Sequence, residues 1–178
     1  MLCLVLGGRR SGKSDWAEQQ ALASSRQNLV YLATCRPSDK AMQERVALHR
    51  NRRAQHPRTW ILREEPVQLA AALDEISRTT PDCLVLLDCL TLWLANLMET
   101  HSNGQIAAET DRLLEAAQNF AGDLIVVSNE VGLGIAPASE LGNRFIDQAG
   151  ILNRKTAHVA AEVVFITAGL PFYLKQRS

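Results

Sequence analysis

Residues 7–14 read Gly7-Gly8-Arg9-Arg10-Ser11-Gly12-Lys13-Ser14 and fit the pattern G-x-x-x-x-G-K-[ST]. The chemistry of that spacing is phosphate binding. Glycines let backbone N–H groups wrap an anion, and a helix N-terminus adds positive potential. An ammonium at Lys13 reaches β- and γ-phosphates, and a hydroxyl at Ser14 ligates Mg²⁺. A carboxylate usually completes such a metal site. Asp88 follows the apolar run at 84–87, so it should end a buried strand, where ligands bind in open α/β sheets. The alternative is a strand-ending Asp that caps the helix suggested by the pattern at 90–98, but beside the phosphate loop the metal role is the favoured reading. Glu130, in Ser128-Asn129-Glu130-Val131-Gly132, is a second carboxylate near a strand end. It would suit metal binding or activation of an attacking hydroxyl, or it forms an ion pair within its loop.

A different chemistry is suggested by Arg45-Val46-Ala47-Leu48-His49-Arg50-Asn51-Arg52-Arg53. If this basic segment is helical, Met42, Val46 and His49 form one stripe, with arginines on either side of the imidazole. From the pattern alone, a packed or half-exposed histidine with a solvated basic face is the ordinary reading. The functional reading is a neutral imidazole among cations. Nearby positive charge disfavours the imidazolium, leaving a nitrogen free to attack phosphorus while arginines grip a triphosphate. His56, His101 and His158 have no comparable surroundings.

These residues need a scaffold that brings strand ends together. Five apolar runs, at 2–6, 29–33, 83–87, 124–127 and 163–166, lack polar alternation, as strands buried on both faces do. Helical character lies between them, at 13–23, 40–52, 67–77, 90–98, 110–120 and 144–161. Strands alternating with helices predict an α/β domain with a mostly parallel sheet. Ser102-Asn103-Gly104 reads as a surface turn. The 178 residues are expected to form a single domain, 1–178, without repeats or linkers.

Lys plus Arg and Asp plus Glu both number 19, and this balance argues against a nucleic-acid partner. The four cysteines (Cys3, Cys35, Cys83 and Cys89) lack metal-site spacing and read as reduced core thiols. No run approaches the roughly 18 apolar residues of a membrane span, so a cytoplasmic protein is expected.

Several segments together resemble one family, the bifunctional adenosylcobinamide kinase/adenosylcobinamide-phosphate guanylyltransferases of cobalamin assembly. The phosphate loop with its Arg-Ser before Gly-Lys-Ser is similar to the family's, as is Tyr31-Leu32-Ala33-Thr34. Arg45-Val46 with His49-Arg50 resembles the segment carrying its guanylylated histidine. Trp60 through Glu64-Glu65-Pro66, Asp88-Cys89-Leu90-Thr91-Leu92-Trp93, and the tail Ala168-Gly169-Leu170-Pro171 with Lys175 also match. The most selective segment is Val127-Ser128-Asn129-Glu130-Val131-Gly132-Leu133-Gly134-Ile135.

The resemblance implies a P-loop NTPase fold, a RecA-like mostly parallel sheet flanked by helices, assembled as a homotrimer. It implies His49 as the nucleophile, with Lys13 as the other catalytic residue. A nucleotide base would lie near Ala33, Thr34 and Cys35, with Arg50, Asn51, Arg52, Arg53, Glu64 and Asp88 at the GTP site. Mg²⁺ would sit on Ser14 and Asp88, with ATP and GTP as substrates alongside adenosylcobinamide and adenosylcobinamide phosphate. Two rival readings of the loop are a small-molecule kinase without nucleotidyl transfer and a regulatory ATPase. The chain departs from the family pattern at Ile146, Ile151 and Arg154, and residues 54–58 lengthen the interval from His49 to Trp60.

Overall fold

The computed structural model describes residues 1–36, 44, 47 and 56–176. In chain order the elements are β1 (Leu2–Gly7), α1 (Lys13–Ala23), β2 (Asn28–Ala33), β3 (Trp60–Glu64), α2 (Leu69–Thr79) and β4 (Cys83–Asp88). They continue with α3 (Leu90–Met98), α4 (Asn103–Asn119), β5 (Asp123–Asn129), α5 (Glu140–Val159), β6 (Glu162–Thr167) and β7 (Leu170–Lys175). The seven strands form one sheet in the order β3-β2-β4-β5-β1-β6-β7. Every neighbouring pair is parallel except β6 and β7, which form an antiparallel hairpin at one edge. This is the expected α/β architecture.

The apolar runs become central strands because each strand feeds two cores. Leu2, Leu4 and Leu6 of β1 enter one core with Val30, Leu32, Val85, Leu87, Leu124 and Val126. Helices α2 to α5 cover that face through residues such as Leu73, Trp93, Leu113 and Leu152. The intervening Cys3 and Val5 enter the other core with Leu29, Tyr31, Leu84, Leu86, Ile125 and Val127, beneath Ala17 and Ala21 of α1. Period-2 geometry with both faces covered leaves no polar alternation to read. Among the described residues, no helix is long and apolar enough to cross a membrane.

All five expected strands are present, and two more flank them. β3 is mostly exposed and β7 is exposed throughout, and their apolar runs, at 60–62 and 172–174, are shorter than those of the central strands. Pro171 is tolerated in β7 because an edge strand leaves one side without ladder partners. Ser102-Asn103-Gly104 corrects the sequence expectation. It opens α4, seven residues before the predicted start at 110. Ser102 is the N-cap: its Oγ accepts from Gln105 N at 3.4 Å, and Gln105 Oε1 accepts from Ser102 N at 2.9 Å. This reciprocal pair is a capping box, and it overrides the turn propensity of Asn-Gly. The expected helix at 40–52 lies outside the described residues apart from Glu44 and Ala47, both helical and exposed.

All four cysteines are free; Cys3, Cys83 and Cys89 are buried and Cys35 is partly exposed. Burial pushes the Cys3 and Cys83 thiols up. Burial, with the Asp88 charge alongside, pushes Cys89 from 9.0 to about 12. An unfolded chain ionises such a thiol near its ordinary value while the folded chain does not. The stability from this thiol is therefore complete below about pH 9 and is lost as pH rises toward 12, at about 1.4 kcal/mol per pH unit. At about pH 8, Ellman's reagent should modify Cys35 first and reach the other three only in denaturant. Equal reactivity of all four thiols in the folded protein would contradict this packing.

Candidate functional site

Parallel strands bring their C-terminal ends to one edge, and the register defines what meets there. Ala33 of β2 pairs with Glu64 of β3 on one side and with Asp88 of β4 on the other. Asp88 pairs in turn with Val127, and β5 runs on to Asn129, opposite Gly7 of β1. Glu64, Ala33 and Asp88 thus form one row, and a single strand separates the Asp88 strand from the one that feeds the phosphate loop.

The loop itself is shaped by close contacts. A Cβ at Gly7 would lie 2.5 Å from the Ile166 carbonyl oxygen and 2.6 Å from Ser11 Oγ. Arg10 and Gly12 adopt φ of 60° and 93°, and Gly12 is the left-handed N-cap of α1. The loop closes through Ser11 N donating to Gly8 O at 3.2 Å. Lys13 opens α1 at only 7% exposure, and its Nζ donates back to Gly8 O at 3.4 Å. The ammonium is thereby held over the loop, at the positive end of α1. Ser14 is half-buried one residue further on, and Arg9 and Arg10 are exposed. Ser11 Oγ is buried without a hydrogen-bond partner.

A support beneath the loop comes from the β6–β7 turn. Ala168 and Gly169 both take positive φ, 51° and 79°, as two-residue hairpin turns require. Gly169 N donates to Ser11 O at 2.9 Å, and a Cβ at Gly12 would lie 3.3 Å from Gly169 Cα.

Asp88 ends β4 half-buried, and its Oδ2 accepts a hydrogen bond from the Tyr31 hydroxyl at 2.8 Å. It does not cap α3. The N-cap is Cys89, with no side-chain cap bond, and the Cys89 N–H is taken by Thr34 Oγ1 at 2.9 Å. Glu130 N donates to Gly7 O at 3.0 Å, which seats this residue beside the phosphate loop. Its Oε1 accepts from Gly132 N at 2.7 Å. Among the described residues Glu130 makes this backbone contact and not the loop ion pair that was one of its two readings.

Thr34 is fully buried and its hydroxyl is committed within the fold. It donates to Cys89 O at 2.8 Å while accepting from Cys89 N. Thr34 O accepts from Asn96 Nδ2 at 2.9 Å, and the same amide reaches Pro66 O. A base at this edge would therefore meet the half-buried Ala33 and Cys35 before the Thr34 hydroxyl. Glu64 is exposed at the end of β3. His49, Arg50, Asn51, Arg52 and Arg53 lie outside the described residues.

Four structural partners of the site were not predicted from sequence: Tyr31 beneath Asp88, Gly169 beneath the loop, and Thr91 and Asn153. Thr91 Oγ1 accepts from Asn129 N at 2.7 Å, and Asn153 Nδ2 donates to Asn129 O at 3.1 Å, tying the end of β5 to two helices. Their partners lie 24 to 57 residues away for all but Gly169, which is farther still, so no local pattern announces them.

A hydroxyl and a carboxylate are the hard-oxygen donors that Mg²⁺ takes. No group of three His, Cys, Asp or Glu gathers among the described residues. None is needed, because Mg²⁺ beside phosphates uses one or two carboxylates and keeps several waters. Ser14 and Asp88 fit that requirement.

Residues 3–174 match the model of the cobinamide kinase/cobinamide phosphate guanyltransferase family. The chain belongs to this family. It is 44% identical to the bifunctional adenosylcobalamin biosynthesis protein CobP of Pseudomonas aeruginosa, over 97% of the chain and 96% of that protein. It is 34% identical to the bifunctional adenosylcobalamin biosynthesis protein CobU of Escherichia coli, over 98% of the chain and all of that protein. Among solved structures, the flagellar accessory protein FlaH of Methanocaldococcus jannaschii aligns with TM-score 0.52 at 14% identity, over 99% of this chain and 78% of that one. The type III secretion ATPase EscN of enteropathogenic E. coli aligns with TM-score 0.57 at 12% identity, over 94% of this chain and 43% of that one. At those identities the likeness concerns the fold, which is that of P-loop NTPases.

Within this family member, Thr34 provides a test of how the site edge is held. Thr34→Val keeps the shape but strands the buried N–H of Cys89, while the Cys89 carbonyl keeps the hydrogen bond it accepts from Trp93 N at 3.1 Å. An unsatisfied buried group costs about 1–3 kcal/mol, and stability should fall by that order. Urea unfolding measures this, and a change below about 1 kcal/mol would mean that these hydrogen bonds are not made.

Proposed function

We propose that this chain phosphorylates adenosylcobinamide with a nucleoside triphosphate and then transfers GMP from GTP to the product, giving adenosylcobinamide-GDP. The observation that carries the reading is the phosphate loop at the β1–α1 junction, with Asp88 on the same sheet edge, in a chain matched almost end to end by the family.

In the kinase step the loop N–H groups and Lys13 hold the β- and γ-phosphates. Such transfer depends on positioning and charge stabilisation more than on covalent help from the protein. The aminopropanol hydroxyl of the substrate attacks the γ-phosphorus, the bond from that phosphorus to the β-phosphate oxygen breaks, and the hydroxyl proton passes to solvent or a nearby base. Glu130 is the described carboxylate adjoining Gly7 that suits this last role. Ser14 and Asp88 would hold Mg²⁺, which when bound neutralises charge on the phosphates.

In the guanylyl step a ring nitrogen of His49 attacks the α-phosphorus of GTP and pyrophosphate leaves. A phosphate oxygen of adenosylcobinamide phosphate then attacks the same phosphorus, breaking the P–N bond. Splitting the transfer lets one site take two bulky partners in turn. Arg50, Asn51, Arg52 and Arg53, with Glu64 and the edge at Ala33, Thr34 and Cys35, are read as the GTP contacts. These assignments, and His49 itself, rest on the family resemblance. The same resemblance supports a homotrimer with ATP or GTP as phosphoryl donor. Chain length, the lack of a long apolar run and the charge balance are what favour a single domain acting in the cytoplasm on small molecules without nucleic acid.

Lys13→Ala should cost both reactions more than roughly tenfold, since a charged contact in a catalytic site is worth about 2–4 kcal/mol. A folded variant keeping either rate near wild type would contradict a shared triphosphate site.

His49→Ala should separate the two reactions. It should still phosphorylate adenosylcobinamide but form neither labelled protein from α-labelled GTP nor adenosylcobinamide-GDP, and His56→Ala should retain both. The wild-type label should be acid-labile and base-stable, as a phosphoramidate is. Covalent GMP on His49→Ala would place the nucleophile elsewhere. A wild type that never takes up GMP would leave a plain kinase as the better account.

A further inference from the structure

We propose that Tyr31 is a positioning residue that makes Asp88 a one-oxygen ligand and so sets the site's preference for Mg²⁺ over larger divalent cations. The inference rests on the reading of Asp88 as a metal ligand. The Tyr31 hydroxyl donates to Oδ2 at 2.8 Å, while Oδ1 accepts no hydrogen bond from any described residue. A phenol proton occupies a lone pair of Oδ2 and weakens that oxygen as a donor to a cation. A cation approaching Asp88 therefore finds Oδ1 as the better donor.

The phenol is firmly held. Tyr31 is 7% exposed and lies in the sheet between Leu62 of β3 and Leu86 of β4. Its ring stands edge-on to Trp60, 6.0 Å between centroids and 83° between planes. The Asp88 backbone is fixed as well, because its carbonyl accepts from Thr34 N at 3.2 Å. The carboxylate thus has little freedom to swing both oxygens toward an ion. Mg²⁺ demands near-ideal octahedral geometry at short distances, whereas Ca²⁺ accepts bidentate carboxylates in looser shells. Keeping Oδ2 engaged costs a bidentate ion more than it costs Mg²⁺. Partners of this kind around a metal ligand typically change affinity by about 10–100-fold.

Tyr31→Phe removes the hydrogen bond and keeps the ring against Trp60. The test is calorimetric titration of Mg²⁺, and separately of Ca²⁺, into the whole protein saturated with a non-hydrolysable GTP analogue, corrected for binding to free analogue. Wild type, Tyr31→Phe and Asp88→Asn are compared, with thermal unfolding as the fold control. Asp88→Asn should weaken Mg²⁺ binding. Tyr31→Phe should weaken Mg²⁺ about tenfold and Ca²⁺ clearly less, lowering the Mg²⁺-to-Ca²⁺ preference at an unchanged unfolding midpoint. If Asp88→Asn weakens Mg²⁺ while Tyr31→Phe leaves affinity and preference alone, the role of Tyr31 is wrong and the metal reading stands. Equal losses for both ions, or a Tyr31→Phe chain that does not fold, also overturn the inference, because the hydroxyl would then serve the fold. If Asp88→Asn changes nothing, the metal reading falls and the inference falls with it.

Discussion

The four central strands, β1, β2, β4 and β5, are buried on both faces, and this limits where polar chemistry can stand. A hydroxyl or carboxylate in the middle of such a strand must find a partner within the sheet or be left dry and unpaired, at a cost of order 1–3 kcal/mol. Polar groups are therefore driven to the strand ends, where α/β folds bind their ligands. Gly7, Ala33, Asp88 and Asn129 are those ends. Tyr31 and Ser128 stand within strands, and each hydroxyl finds a partner, Tyr31 on the neighbouring strand's terminal carboxylate and Ser128 on the Thr91 hydroxyl.

A second layer of order holds the ends in register with the helices that leave them. Thr34 binds both backbone groups of Cys89, and Asn96 draws the turns after β2 and β3 together. On the other side, Thr91 and Asn153 clamp Asn129. The phosphate loop is held between Ile166 of β6 and the hairpin turn at Gly169. The site edge is thus a hydrogen-bonded rim whose atoms come from nearly every segment of the chain.

What could be read from sequence follows from how local each signal is. The phosphate loop is contiguous, and Asp88 follows an unbroken apolar run, so both were legible. The central strands were legible because burial on both faces leaves no polar interruption. The edge strands β3 and β7 were not, since their apolar runs at 60–62 and 172–174 are short and Pro171 interrupts the second of these strands. The start of α4 was misread because Asn103-Gly104 favours a turn, while the deciding contact is the reciprocal bond between Ser102 and Gln105. The roles of Tyr31, Thr34 and Asn153 need the strand order 2-4-5, which no pairwise spacing contains. His49 and its arginines were noticed as a basic segment and given their roles by resemblance, and they lie outside the described residues.

The two glycines that begin the loop answer to different masters. At Gly7 any side chain would collide with the backbone of β6, so the folded polypeptide alone demands glycine there. At Gly8 a Cβ would meet nothing within 4 Å. A lineage that lost its nucleotide chemistry but kept its fold would be free to drift at position 8 while remaining glycine at position 7. Glycine at position 7 would then record that a descendant still folds this way, and by itself would say nothing of whether it still cradles a phosphate.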